Sequence, residues 1–511
     1  MDHIQNDKIS AVQQDVELAD HVKRDSRDLD AAAQFLADHD NEQPLSPQEE
    51  KKVLRKVDFI LLPMLLITAT LGATDKVAIS TAAIYGLKQD LHLVGQQYSW
   101  AGSILSLGAL AGMMPSSYMA QLLPTAKWIC CCSIAWSAFA LLMPVSRNFS
   151  GIMALRFFMG CAEAVIVPAI TLIIAAFYKK TEQPHRNAIV FAAISSVVNG
   201  FLAWIVGHIS KNAPLSIWQY LFFITGTLSM IWSIIAFIFL PATPMDAVFL
   251  SNREKVHLIR RLAENRTGVT NKQWKWDQVW EAVIDPKTWL LFLFNIAINI
   301  PNGGLTTFSS IIINNLGFDA LQSSLLNMPT GICSTLSAFV FSWIAARWEN
   351  RRCLVTIFAC LIPIIGAVIC YTLPRENIGG QMVGLYFLYT YFGPYVIGIS
   401  MGQANTAGQT KKNVQYAILY IGYAVGNLIG PQTFRANQAP AYTGGFISML
   451  ICYCACVGLI SIYWFLAVYL NHRQSKQMQE SGERNDGEAE EADDAFTDLT
   501  DFQRKNFRYT T

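Results

Sequence analysis

Arg156 and Glu163 sit where charge is expensive. Both lie in the run RFFMGCAEAVIVP (156–168), inside an apolar stretch from about Gly151 to Phe177. Roughly 20 apolar helical residues cross the ~30 Å hydrocarbon layer of a bilayer, so this stretch reads as a membrane span. A spacing of seven residues is about 1.9 helical turns, which puts both side chains on one face, ~10 Å apart along the axis. An ionisable group at that depth should face a partner or a watery cavity. Arginine suits a carboxylate there, because its planar fork donates two parallel hydrogen bonds and stays charged at cellular pH. Glutamate suits a proton, because burial favours its neutral form while a neighbouring cation favours the charged one. An anion arriving at Arg156 would weaken that cation's pull and load Glu163. Gly160, between the two, is expected to leave room for the bound molecule. The competing reading is a structural pair that locks helices together.

Other polar residues fall at helical spacing within apolar runs. Asn295, Asn299 and Asn302 recur beside Pro301, Gly303 and Gly304. A polar stripe at a helix breaker fits either a cavity wall or interhelical hydrogen bonding. Gly422, Gly426 and Gly430 repeat every four residues and predict a close-packing face, with Asn427 and Gln432 beside it as substrate candidates. Tyr386, Tyr389, Tyr391 and Tyr395 are expected to pack rather than line a cavity.

These residues need a scaffold of spans. With 52% hydrophobic and 15% charged residues, the 511-residue chain is no ordinary soluble domain. Hydropathy windows give twelve spans, near 57–80, 97–120, 126–145, 151–177, 187–209, 218–240, 288–313, 321–345, 353–373, 381–404, 413–433 and 444–470. The expected organisation is a disordered acidic tail (1–50), a six-helix half (51–240), a polar central loop (241–287), a second six-helix half (288–470) and a second disordered acidic tail (471–511). No secretory signal precedes the first apolar run, near Val57. Lysine and arginine number fifteen in the loops on one side and six on the other, which predicts that both termini and the central loop are cytoplasmic. The eleven cysteines lie in or beside apolar runs and read as small hydrophobes, without zinc spacing or a disulfide framework. No GxxxxGK[ST] loop and no catalytic grouping appears, so neither an ATP-driven pump nor an enzyme is expected. The expected partners are a small organic anion, protons and the lipid bilayer, with no nucleic acid, cofactor or metal, and the chain is expected to act as a monomer.

Leu91, Gln97 and Ser99 after the first span recur as Leu316, Gln322 and Ser324 after the seventh, at a constant offset of 225 that also carries Lys127 onto Arg352. Two related halves, with substrate bound near midplane between them, is a transporter arrangement. The chain resembles the major facilitator superfamily, and within it the fungal allantoate permease group of anion:cation symporters. The runs that carry the resemblance are TDKVAISTAAIYGLKQDLHLVGQQYSW (74–100), RFFMGCAEAVIVP (156–168), NIPNGGLTTFSSIIINNLGF (299–318), LLNMP (325–329), and GQTKK with IGYAVGNLIGPQTF (408–434). It implies an all-α fold of twelve transmembrane helices and proton-coupled transport of small carboxylates such as allantoate, nicotinate or pantothenate. It also implies that Asp75 and Lys76 serve coupling and anion binding. Two departures stand out. SLGALAGMMPS (106–116) lacks the tyrosine and acidic residue that relatives carry before the proline. The charged motif after the second span is reduced to LLPTAK (122–127), whereas RWENRR (347–352) keeps its charges, so gating is expected to lean on Arg347, Arg351 and Arg352.

The leading expectation is proton-linked uptake of an organic anion through a plasma-membrane carrier, with Glu163 and Asp75 on the proton path and Arg156, Lys76, Asn299, Asn302 and Asn427 around the substrate. Proton-antiport efflux from the same fold is the alternative. A transporter-like sensor signalling through its tails is a second.

Overall fold

The computed structural model describes residues 46–179, 182–192, 194–210, 212–264, 275–348, 350–481, 499–504 and 507–511. Most of the first expected tail and residues 482–498 of the second lie outside the described residues.

Ten helices are long and apolar enough to cross a membrane. In chain order the long helices are α1 (Pro47–Ile84), α2 (Gln97–Leu122), α3 (Thr125–Leu142), α4 (Phe149–Phe177), α5 (His185–Gly207), α6 (Ile217–Phe239), α7 (Pro286–Asn314), α8 (Ala320–Arg347), α9 (Arg352–Thr372), α10 (Ile378–Ala404), α11 (Gln409–Ile429) and α12 (Thr443–Ser481). Only α2 and α11 fall outside the apolar ten, and they pack on each other across the midline of the molecule. Ser99, Ser103, Ser106 and Ser116 of α2 and Gln415 and Asn427 of α11 are buried against protein rather than lipid, so these helices need less hydropathy.

The pairings α1–α5, α1–α6, α2–α4 and α3–α6 recur as α7–α11, α7–α12, α8–α10 and α9–α12. Two like-built halves therefore meet along α1–α7, α2–α11 and α5–α8. Glycines set the spacing inside each half. A side chain on Gly108 or Gly112 of α2 would run into the backbone of α4 at Phe157 or Cys161. On α7, Gly303 meets Asn427 of α11 so closely that an added Cβ would lie 2.7 Å from the Asn427 carbonyl oxygen. The α11 glycines at 422, 426 and 430 all abut α7, confirming their packing face.

The starts of α1 and α7 and the end of α12 share one end of the bundle, called here the tail face; the opposite end is the far face. On the tail face, α1 begins inside the segment expected to be disordered. The Ser46 hydroxyl accepts from the Glu49 amide at 3.3 Å and the Glu49 carboxylate accepts from the Ser46 amide at 2.8 Å, a reciprocal cap that fixes the first turn. The central loop is also more ordered than its polarity suggests. Its helix Asn252–Glu264 caps the N-terminal half, where Lys56 meets Glu254 at 2.8 Å and Arg261 bridges Glu50 and Glu182. Beside it, the Arg186 fork holds the Asp58 carboxylate at 2.8 and 3.1 Å. The helix Trp276–Ile284 caps the other half, with the Gln278 side-chain oxygen accepting from the Thr410 amide at 3.0 Å.

The second tail also differs from expectation. α12 continues to Ser481, and residues 499–504 and 507–511 lie against the C-terminal half with Thr500, Asp501 and Tyr509 buried. Aromatic residues and hydrogen-bonding side chains at the very end give this segment the contacts that its acidic composition hides.

Candidate functional site

α4 is interrupted at Ala164–Val165, between helical pieces ending at Glu163 and resuming at Ile166. Pro168 supplies the reason: it has no N–H to offer the carbonyl four residues earlier, and its ring crowds that carbonyl. The break leaves Glu163 at a helix end, partly accessible, with Lys76 and Arg156 near enough for their charges to act on it.

Arg156, about two turns away on the same helix, is only 1% exposed. Its Nε and one terminal nitrogen have no hydrogen-bond partner. A buried donor left unmade is costly, and more so when charged. Arg156 lines a narrow cleft between the halves, together with Lys76, Ser106, Thr306, Thr307 and Asn427. Gly160 does not provide the space, contrary to the sequence reading. The backbone of α2 at Leu105 fills the place where its side chain would go. The cleft is lined instead by α1, α2 and α4 on one side and by α7 and α11 on the other.

Lys76 reaches across the midline and donates to the Tyr423 hydroxyl at 2.9 Å, with its ammonium 5.2 Å from the ring centre. Asp75, its neighbour in sequence, points the other way. It is 2% exposed and accepts from the Ser229 hydroxyl of α6 at 3.2 Å, while its second oxygen has no partner. The adjacent pair is thus split between the cleft and the interior of the N-terminal half.

On the opposite wall the asparagines form a relay. The Asn299 amide nitrogen donates to the Asn295 side-chain oxygen at 2.7 Å, and its own oxygen accepts from Asn302 at 3.1 Å and Asn427 at 3.5 Å. The Tyr391 hydroxyl donates to the Asn302 oxygen at 2.6 Å. Asn299 is fully buried and joins α7 to α11, so it serves the hydrogen-bonding alternative. Asn427 ends the relay with its side-chain oxygen unpartnered at the cleft. Gln432 instead donates to Ser103 of α2 at 3.1 Å.

Beyond the cleft the far face is shut by bonds between the halves. The Tyr98 hydroxyl donates to the Thr307 carbonyl at 2.6 Å, the Ser103 hydroxyl to the Leu428 carbonyl at 2.7 Å, and the Ser310 amide to the Ser80 hydroxyl at 3.0 Å. Tyr85 reaches the Ala320 carbonyl at 3.3 Å. Of the expected gating arginines, Arg347 and Arg351 are exposed on the tail face, and Arg352 donates to the Ser400 carbonyl within its own half at 3.4 Å.

Sequence reasoning missed Tyr423, Thr306, Thr307 and Ser106. Hydroxyl residues are ordinary in such helices, and nothing in their local spacing says that two helices from different halves converge on one point. Tyr391 was visible in the sequence, but as packing.

Comparison with known proteins gives a consistent picture. The description of the Major Facilitator Superfamily matches residues 64–431. The chain is 40% identical over 489 residues to the MFS-type transporter cnsL of Penicillium expansum, covering 95% of this chain and 94% of that one. It is 32% identical to the allantoate permease of Saccharomyces cerevisiae, covering 94% of this chain and 90% of the relative. Among solved structures, a bacterial homologue of the lysosomal transporter Spinster, inward-facing and occupied, superposes with a TM-score of 0.59 at 16% identity, over 80% of this chain and 96% of that one. The xylose transporter XylE of E. coli gives a TM-score of 0.55 at 12% identity, over 79% of this chain and 99% of that one.

Proposed function

Because the chain belongs to the Major Facilitator Superfamily and is a multi-pass membrane transporter, we propose that it carries a small organic carboxylate bearing N–H groups, coupled to protons and directed inward. The observation that carries this reading is Arg156, a buried guanidinium with unpartnered nitrogens at a cleft between the halves. A carboxylate completes its hydrogen bonds in the parallel, charge-assisted form that guanidinium favours. The unpartnered Asn427 oxygen opposite would accept from an N–H of the same molecule, and Lys76 adds a second positive charge. The name of the allantoate permease relative fits this chemistry, since allantoate is a carboxylate with ureide N–H groups.

Glu163 carries the proton in this reading. Empty, the site leaves the Glu163 carboxylate under the influence of Lys76 and Arg156. Once a substrate carboxylate neutralises Arg156, Glu163 takes up a proton, so the anion and the proton load together and the net charge of the site does not change. Asp75, enclosed beside Ser229 with one free oxygen, is a second proton position away from the substrate. Asn302 positions Asn299 and the Tyr391 wall. Arg347, Arg351 and Arg352 would engage the other half once the tail face closes. The far-face seal and the absence of a comparable set of direct bonds between the halves among the described tail-face residues support a structure open toward the tail face. The loop charges favour a cytosolic tail face in a plasma-membrane protein, and on that reading the state is inward-facing.

The test is flux in liposomes. Allantoate uptake should rise as the outer pH falls and vanish with a protonophore; uptake indifferent to both would refute coupling. Glu163→Gln should exchange substrate across the membrane but fail to accumulate it.

A further inference from the structure

The last residues of the chain occupy a groove at the tail face of the C-terminal half that is built to hold a peptide. Asn405, at the end of α10, donates to the Thr510 carbonyl at 2.8 Å and accepts from the Thr510 amide at 2.7 Å. Asn471 of α12 does the same for Tyr509, at 2.8 and 2.9 Å. Two side-chain amides thereby read the main chain as a neighbouring strand would. The side-chain anchor is Asp501. It is fully buried and bridges Lys287 of α7 and Lys411 of α11, each at 2.7 Å. Burial alone would raise its carboxyl, but the two ammonium groups outweigh that and hold it below the usual carboxylate range. The Tyr509 ring lies 3.6 Å from the Lys287 ammonium and the Phe502 ring 3.7 Å from that of Lys411.

The cluster contains one removable member. Asp285, also fully buried, approaches Lys411 at 3.3 Å and Lys287 at 3.5 Å, but it caps α7 and stays with it. Asp501 belongs to a segment joined to α12 through a long acidic stretch (482–498). Without it, two enclosed ammonium groups share one close carboxylate, with Glu281 as far as 3.8 Å from Lys411. They repel, and they stand at the tail-face ends of α7 and α11. Those two helices also carry the far-face seal, at Thr307, Ser310 and Leu428. A glycine ridge packs them into one unit, so a shift at one end is delivered to the other.

We propose that residues 499–504 and 507–511 act as a releasable strap whose seating between α7, the α10–α11 connection and α12 biases the transporter toward the state sealed at its far face. Thr500 is the sensitive position. It is fully buried, and its hydroxyl accepts from the Gln503 amide to form the turn that presents Asp501. A negative charge added there lies in an enclosed space next to Asp501 and expels the strap.

The experiment uses full-length protein carrying a specific protease site within 486–494, cut after purification so that folding is complete. High salt then releases the strap, and a fluorescent peptide of residues 499–511 is added back. That peptide should rebind, an Asp501→Asn peptide at least about 30-fold more weakly, and a Thr500→Glu peptide not measurably. Equal binding of all three overturns the proposal. The seal is read by alkylation of Ser309→Cys with a membrane-impermeant maleimide, quantified at that position by mass spectrometry. Ser309 is fully buried opposite Ser80. Alkylation should be several-fold faster once the strap is released, and faster in uncut Asp501→Asn, with the native peptide restoring the slow rate in cut protein. Unchanged alkylation after release makes the strap a local staple and refutes the coupling. No substrate is needed, so the outcome is independent of the carboxylate reading.

Discussion

The two walls of the central cleft are made of different chemistry. The N-terminal half contributes Lys76 and Arg156, with Glu163 within reach of their charges and Asp75 enclosed behind them; the C-terminal half contributes Thr306, Thr307 and Asn427, none of them ionisable. The halves share their helix pairings, so the difference is not one of fold. On the proposed reading it divides the work: one half would supply charge and proton binding, the other would orient the molecule by neutral hydrogen bonds. Charges concentrated on one wall can neutralise each other or a ligand without waiting for the halves to meet. Neutral amides on the other wall can let go of the cargo without stranding a charge.

Substitutions should separate these duties by size. Arg156→Ala removes the group expected to hold the anion, and loss of a buried charge partner weakens binding by about 100-fold; the readout is the thermal shift given by allantoate on purified protein. Arg156→Lys should recover little of it, because a point charge does not replace the fork. Next in effect, Gly303→Ala drives a methyl toward the Asn427 backbone and should cost about 1–3 kcal/mol of stability, seen as a lower melting temperature. Asn427→Leu removes only a neutral acceptor. It should weaken binding about tenfold and leave the pH dependence of flux as it was; a loss as large as that of Arg156→Ala would erase the division between the walls.

The smallest effect lies on the tail face. Burial raises the Glu182 carboxyl, but the Arg261 bond and charge overcome this and hold it below the ordinary 4.5. Its folded form therefore binds protons less readily than its unfolded form, so its contribution is complete above pH 4.5 and fades as pH falls through the lowered value. A melting-temperature profile should show a drop below about pH 4.5 that Arg261→Met diminishes. A profile that rose on acidification would reverse the assignment.

Much of the fold is legible in the sequence, because apolar runs of spanning length announce themselves and the glycine spacing on α11 has one steric meaning. The pairing of Arg156 with a cleft is legible too, since a charge at that depth requires an explanation. Gly160 is not, because a missing side chain makes room for whatever arrives first, and the α2 backbone arrives before any ligand. Asp75 and Lys76 show a related limit: adjacent residues on a helix point about 100° apart, so one faces Ser229 of α6 and the other Tyr423 of α11. The buried cluster of Asp285, Lys287, Lys411 and Asp501 is invisible beforehand. Its members lie up to 216 positions apart, and the last of them sits in a stretch whose composition speaks only of solvation.

The closure at the far face has a consequence for where such a carrier can work. The hydrogen bonds that cross it join hydroxyls, amides and carbonyls, all neutral. Dissolved ions screen charged contacts and leave neutral ones almost untouched. The door at the far face should therefore swing with the same ease in dilute and in briny surroundings, even where the tail-face rim, laced with ion pairs, feels every change of salt.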